Sequence, residues 1–152
     1  MKNGENNGLN FNDGTYTTGQ MVSCDRNHIL VVDDQPAIRD AFRRLIKFEL
    51  PQCQVDVAEN GAVAVELFRR DHEGILLMDL SMPVMDGESA FHEIQRICFM
   101  ENCEMPSVIF CTGYQTPEGL ASVISSKQGH CLLVKPVSCD TLVSEIRKRM
   151  AA

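Results

Sequence analysis

The stretch Gly74-Ile75-Leu76-Leu77-Met78-Asp79 decides the architecture. Four consecutive apolar residues closed by an acidic one read as a strand buried on both faces, because no polar residue alternates with them. Buried-strand runs also stand at His28–Asp33 and at Ser107–Cys111, with a short one at Cys131–Val134, and Cys53–Ala58 reads as a further strand. Between these runs the apolar spacing lengthens to that of a helix. Ile38, Ala41, Phe42, Leu45 and Glu49 mark one stripe, opened by Pro36 and ended by Pro51. Ala64, Leu67 and Phe68 mark a second helix, which follows Asn60-Gly61 and which Gly74 breaks. Ala90, Phe91, Ile94 and Ile97 mark a third, and Leu120, Val123 and Ile124 a weaker fourth over about 117–127. The last, over about 138–150, carries Leu142, Val143, Ile146 and Met150 and ends in basic residues that suit its dipole. Strand then helix, five times over, predicts an α/β fold with a parallel sheet covered on both faces.

Right-handed crossovers bring every strand's carboxyl end to one edge, where open α/β sheets place their sites. Asp33-Asp34, Asp79, Thr112 and Lys135 all stand at such ends, so residues about a hundred positions apart are expected to share one crevice. Two like charges about 5 Å apart cost roughly 3 kcal/mol at an effective dielectric near 20. A divalent cation offsets that repulsion, and hard oxygen ligands at this density favour Mg²⁺ with retained waters.

Val31-Val32-Asp33-Asp34, Leu77-Met78-Asp79-Leu80-Ser81-Met82-Pro83-Val84-Met85-Asp86-Gly87, Phe110-Cys111-Thr112-Gly113 and Val134-Lys135-Pro136 resemble the signature segments of bacterial response-regulator receiver domains. The resemblance runs over about residues 27–150, in matching order and spacing. It implies a doubly wound, flavodoxin-like five-stranded sheet in the order 2-1-3-4-5. It further implies that Asp79 accepts a phosphoryl group from a histidine kinase or histidine phosphotransfer protein. Asp34 is then expected to bind Mg²⁺ directly, Asp33 directly or through a water, and the Ser81 backbone carbonyl to be a further ligand beside Asp79. Thr112 and Lys135 are expected to contact the phosphoryl oxygens. In-line phosphoryl transfer needs a positioned nucleophile and cations that neutralise the equatorial oxygens, so this residue set suits it. Mg²⁺ and Lys135 are expected to keep Asp79 ionised, with no general base required.

Around these positions, Pro83 and Gly87 are expected to shape the loop and Asp86 to cap the following helix. In the family the bond before the proline matching Pro136 is usually cis. The sequence departs from the pattern at Leu132, where the family usually carries an aromatic ring that reports phosphorylation. Output is then expected to use the loop after Thr112 and the fourth helix without an aromatic rotamer switch. Ser81 and Tyr114 occupy positions that tune lifetime in the family; neither suits orienting an attacking water, which implies a persistent aspartyl-phosphate.

At 152 residues, 44% of them apolar, the chain suits one domain that folds without a disulfide framework. A formal charge of −7 disfavours direct nucleic-acid or anionic-membrane binding, and no apolar run approaches a bilayer span. Residues 1–20 contain five Asn, four Gly and three Thr, so residues 1–26 read as a disordered tail before a receiver domain at 27–150. The seven cysteines have no C-x-x-C pair and read as reduced thiols, giving a cytoplasmic address. His28, His72, His92 and His130 are scattered and read as surface or rim residues. With no segment left for an output domain, the expectation is a stand-alone, non-enzymatic receiver that signals to a protein partner through about 117–150. Two other classes remain: a degenerate receiver that binds partners without phosphorylation, and an aspartate-nucleophile phosphatase. The phosphatase would want a general acid where Ser81 stands.

Overall fold

The computed structural model describes residues 19–113, 118–126 and 129–151. Five strands, β1 (Asp25–Val32), β2 (Gln54–Ala58), β3 (Glu73–Asp79), β4 (Ser107–Thr112) and β5 (Cys131–Val134), form one parallel sheet in the order β2-β1-β3-β4-β5. Five helices alternate with them: α1 (Pro36–Glu49), α2 (Gly61–Asp71), α3 (Gly87–Glu101), α4 (Glu118–Ser126) and α5 (Cys139–Met150). This is the doubly wound, flavodoxin-like arrangement expected from the sequence.

The continuous apolar strands split by parity into two cores. Leu30, Val32, Leu76, Met78, Val108 and Phe110 pack against α2, α3 and α4, through Phe68, Phe91, Ile94 and Leu120. Ile29, Val31, Ile75, Leu77, Ile109 and Cys111 pack against α1 and α5, through Ile46, Leu142 and Ile146. Each fully buried aliphatic or aromatic residue is worth about 2–5 kcal/mol against truncation to alanine.

Several local readings change. In α1 the buried anchor is Ile46, with Phe42 and Leu45 half-buried, whereas Ala41 is exposed. Only part of the apolar stripe of this helix therefore reaches the core. Gly74 does not break α2. That helix ends at His72, in the left-handed conformation (φ 53°), and Gly74 lies inside β3. In α5, Arg149 is buried: its guanidinium donates to the Gly129 carbonyl (2.7 Å) and to Glu145 Oε1 (2.6 Å). Its stem fills space that apolar periodicity does not credit to a cation.

The folded chain also begins earlier than Asn27. The Val22 N–H donates to the Asn102 carbonyl (2.9 Å), and the Glu104 N–H returns to the Val22 carbonyl (2.7 Å). Arg26 reaches Glu104 Oε2 (3.0 Å) and Ser107 Oγ (2.9 Å). The opening of β1, Asp25-Arg26-Asn27, is held by backbone and ion-pair contacts, which a count of apolar residues cannot register. The first eighteen residues, Tyr114 and the start expected for α4 at 117 lie outside the described residues. All seven cysteines are free thiols, and no helix among the described residues is long and apolar enough to cross a membrane.

Candidate functional site

Strand parity assembles the site. Asp33 continues the Ile29–Val31 row just beyond β1, Asp79 closes the Ile75–Leu77 row, and Lys135 follows Leu133 beyond β5. All three therefore stand over the α1/α5 side at the carboxyl edge. Oxygens of Asp33, Asp34 and Asp79 lie within 4.8 Å of one another. Lys135 Nζ sits 2.9 Å from Asp33 Oδ2 and 3.6 Å from Asp79 Oδ1.

The backbone fixes these positions. The Lys135 N–H donates to the Thr112 carbonyl (2.8 Å), tying the lysine to the end of β4, and the Lys135–Pro136 bond is cis. Thr112 is fully buried there. Ser81 is exposed, and its backbone amide helps lower the Asp79 carboxyl. In the loop from Leu80, the Gly87 N–H donates to the Leu80 carbonyl (3.0 Å). A Cβ at Gly87 would lie 2.3 Å from the Asp79 carbonyl, so close backbone approach demands glycine. Asp86 Oδ1 accepts from the Ser89 N–H (2.8 Å) and caps α3, as expected. The unforeseen feature is Val84, a β-branched residue at φ 71° and 82% exposed.

Two residues that sequence reading missed hold Asp33. The Gln35 N–H donates to Asp33 Oδ1 (2.9 Å), and the Arg39 guanidinium donates to the Asp33 carbonyl (2.7 Å). Neither has a signal in the sequence, because a backbone amide is anonymous and Arg39 is one of several cations in α1. Beside the site, Ile38 and Phe42 of α1 face the Lys135–Val137 link across a cleft of about 450 Å³.

The electrostatics are unbalanced toward the negative. Burial raises the Asp79 carboxyl above its ordinary range, and Asp33 and Asp34 add to this; Lys135 and the Ser81 amide only partly oppose it. Burial alone would lower the Lys135 ammonium, but its hydrogen bond to Asp33 and the charges of Asp33 and Asp79 outweigh that and raise it. One lysine is thus too little for three convergent carboxylates. An all-oxygen donor set with surplus negative charge fits a hard divalent cation such as Mg²⁺.

At Leu132, the described geometry is that of a packing residue: it is half-buried against the α2–α4 core and pairs in register with Phe110. Of the histidines read as surface or rim residues, His28 is buried and hydrogen-bonded to Asp56 Oδ2 (2.7 Å). Its apolar neighbours in β1 conceal it, and the partner lies on a different strand.

A family model for the response regulator receiver domain matches residues 29–147, and the chain belongs to that family. A protein-glutamate methylesterase/protein-glutamine glutaminase of Aliivibrio fischeri is 32% identical over 130 residues, covering 81% of this chain and 33% of the relative. The transcriptional regulatory protein YdfI of Bacillus subtilis is 32% identical over 116 residues, covering 76% of this chain and 51% of the relative. The chain therefore spans at most about half the length of these relatives. Among solved structures, a CheY-like receiver domain protein from Methanospirillum hungatei superposes with a TM-score of 0.66 at 21% identity, covering 82% of this chain and 93% of that one. That likeness shows the fold alone.

Proposed function

We propose that this chain is a phosphoacceptor of two-component or phosphorelay signalling, with Asp79 as the acceptor. Receiver-domain membership gives the class. The observation that carries the residue assignment is the convergence of Asp33, Asp34, Asp79 and Lys135 at one sheet edge.

In this reading a carboxylate oxygen of Asp79 attacks the phosphorus of a phosphohistidine on a kinase or phosphotransfer protein. The O–P bond forms as the N–P bond breaks, and the imidazole leaves with the electron pair. Asp33, Asp34, Asp79 and the Ser81 carbonyl would hold Mg²⁺, which supplies positive charge to the phosphoryl oxygens. Lys135 supplies a second, fixed positive charge. Thr112, adjoining Lys135 through its backbone, would donate its hydroxyl to a phosphoryl oxygen. Gln35 and Arg39 hold Asp33 so that its charge stays in place.

Output would pass through the loop after Thr112 and through the α4–β5–α5 face, about 117–150, to a protein target. β5 is an edge strand and Val134 on it is 65% exposed, which suits a partner surface. With Leu132 packed as core, this path uses no aromatic rotamer. The exposed Ser81 offers no carboxylate or amide side chain to orient a hydrolytic water, in keeping with a persistent aspartyl-phosphate and against a phosphatase.

The test is incubation of the chain with Mg²⁺ and a small acyl-phosphate donor, read by intact mass. The reading expects one added phosphoryl group, absent from Asp79→Ala and lost with chelator. An adduct that survives Asp79→Ala would overturn the assignment. Absence of both an adduct and beryllofluoride binding would favour the phosphorylation-independent binding module.

A further inference from the structure

A second cluster of ligand-bearing side chains lies toward the opposite end of the sheet. His28 on β1, Asp56 on β2 and Glu73 on β3 bring one imidazole nitrogen and two carboxylate oxygens within 4.8 Å of one another. His28 precedes Asp33 by five residues, about 16 Å along an extended strand, so this cluster is separate from the carboxyl-edge site.

Three local features converge on it. Glu73 is 0% exposed, and neither of its carboxylate oxygens has a hydrogen-bond partner among the described residues. The β1–β3 register slips between Asp25 and Ile29, where β1 takes four steps against two on β3, and His28 lies within that irregularity. Bulges of this kind re-aim side chains next to sites. Gly74, beside Glu73, lets the strands close: a Cβ there would stand 2.5 Å from the Asp25 carbonyl. A fully buried carboxylate without a partner is costly unless it is protonated or meets a cation. Nothing in the carboxyl-edge chemistry requires any of the three.

We propose that His28, Asp56 and Glu73 form a structural binding site for a divalent transition-metal ion, with Zn²⁺ the best match. One neutral imidazole and two carboxylates give a net charge of −2, which a divalent ion balances. Mixed N/O donors favour Zn²⁺ or a similar borderline ion over Mg²⁺ or Ca²⁺, which want oxygen alone. Asp56 Oδ2 and His28 Nε2, now 2.7 Å apart, would separate slightly to admit it. The Asp56 side chain, 27% exposed, leaves an entry from solvent, while His28 and Glu73 close the inner side. The ion would join β2, β1 and β3 where β1 is irregular.

Co²⁺ is the probe, because its visible spectrum reports donor type. The experiment uses the full chain carrying Asp34→Asn and Asp79→Asn, so that the carboxyl-edge cluster does not compete, in excess Mg²⁺. One Co²⁺ per chain is expected, with visible d–d bands and no thiolate charge-transfer band in the near ultraviolet. Zn²⁺ should displace it. Glu73→Gln and, independently, His28→Gln should each weaken Co²⁺ binding at least about 10-fold, with circular dichroism verifying that each variant is folded. Three results overturn the proposal: no Co²⁺ or Zn²⁺ binding, binding unchanged in a folded variant, or a thiolate band placing the ion on the cysteines.

Discussion

The two ends of this sheet meet the same electrostatic problem with different means. At the carboxyl edge, Asp33, Asp34 and Asp79 face a lysine that arrives from 102 residues beyond Asp33. Toward the other end, Asp56 and Glu73 converge on a histidine, and Glu73 has no hydrogen-bond partner among the described residues. The first cluster adjoins the exposed loop residues Gln35 and Ser81, and in the proposed reading it takes up a cation and a phosphoryl group. The second joins three strands and opens to solvent through Asp56, with His28 and Glu73 on its inner side.

The largest expected effect breaks the carboxyl-edge balance. Lys135→Met removes the fixed cation from beside Asp33 and Asp79 while keeping much of the stem's volume. Loss of one preorganised electrostatic donor is worth about 10²–10³ in rate. Phosphoryl incorporation from an acyl-phosphate donor, followed by intact mass at saturating Mg²⁺, should slow by that amount. A loss below about threefold would remove Lys135 from the assignment.

The second effect belongs to the other end. Burial, aided by Asp56 and Asp71 and opposed by His28, raises the Glu73 carboxyl from 4.5 to about 7. The folded state therefore binds this proton more tightly than the unfolded chain does. Its stabilising contribution is complete below pH 4.5, is lost as pH rises toward 7, and is flat above that. The full loss is about 3 kcal/mol. In chelator, Glu73→Gln should therefore match the original chain near pH 4.5 and exceed its stability at pH 8, in denaturant melts at both values. Equal pH slopes for the two proteins would show that Glu73 carries no such penalty.

This contrast also explains what could be read from the sequence. Asp33, Asp79, Thr112 and Lys135 were legible because each terminates a run of apolar residues, and parallel topology delivers every such terminus to one edge. Parity did the rest. The His28 cluster was not legible, because its members sit inside strands or at a strand's start and meet only through a register slip. Glu73 reads as an ordinary polar residue after a helix until β3 is seen to begin with it. Arg39 and the Gln35 amide escaped for another reason: their contacts are to the backbone and one carboxylate oxygen of Asp33, and no residue pattern encodes those.

Glycine gives a smaller, matched pair. Gly87 lies against the Asp79 carbonyl and Gly74 against the Asp25 carbonyl, at 2.3 and 2.5 Å from a built Cβ. Gly87→Ala and Gly74→Ala should each destabilise by about 1–3 kcal/mol, the usual range for overpacking. Their functional consequences should diverge: Gly87→Ala should also slow phosphoryl incorporation, whereas Gly74→Ala should leave its rate unchanged. Slowing by Gly74→Ala equal to that by Gly87→Ala would mean that the two ends are mechanically coupled.

The smallest effect compares two residues in the left-handed region, Val84 in the loop after Asp79 and His72 just before Glu73. His72 ends α2, where its N–H donates to the Phe68 carbonyl (2.8 Å), and a histidine tolerates that conformation. Val84 is β-branched and exposed, so its backbone cost has no packing to offset it. Asparagine suits this region without the added chain entropy of glycine. Val84→Asn should stabilise by about 1 kcal/mol, or about 2–4 °C in Tm for a domain of this size, while His72→Asn should change Tm by less. A Tm for Val84→Asn at or below that of the original chain would mean the left-handed turn costs nothing. If the gain in Tm comes with slower phosphoryl incorporation, the strain at Val84 helps hold Ser81 and Gly87 against Asp79. If incorporation is unchanged, the strain belongs to the loop alone.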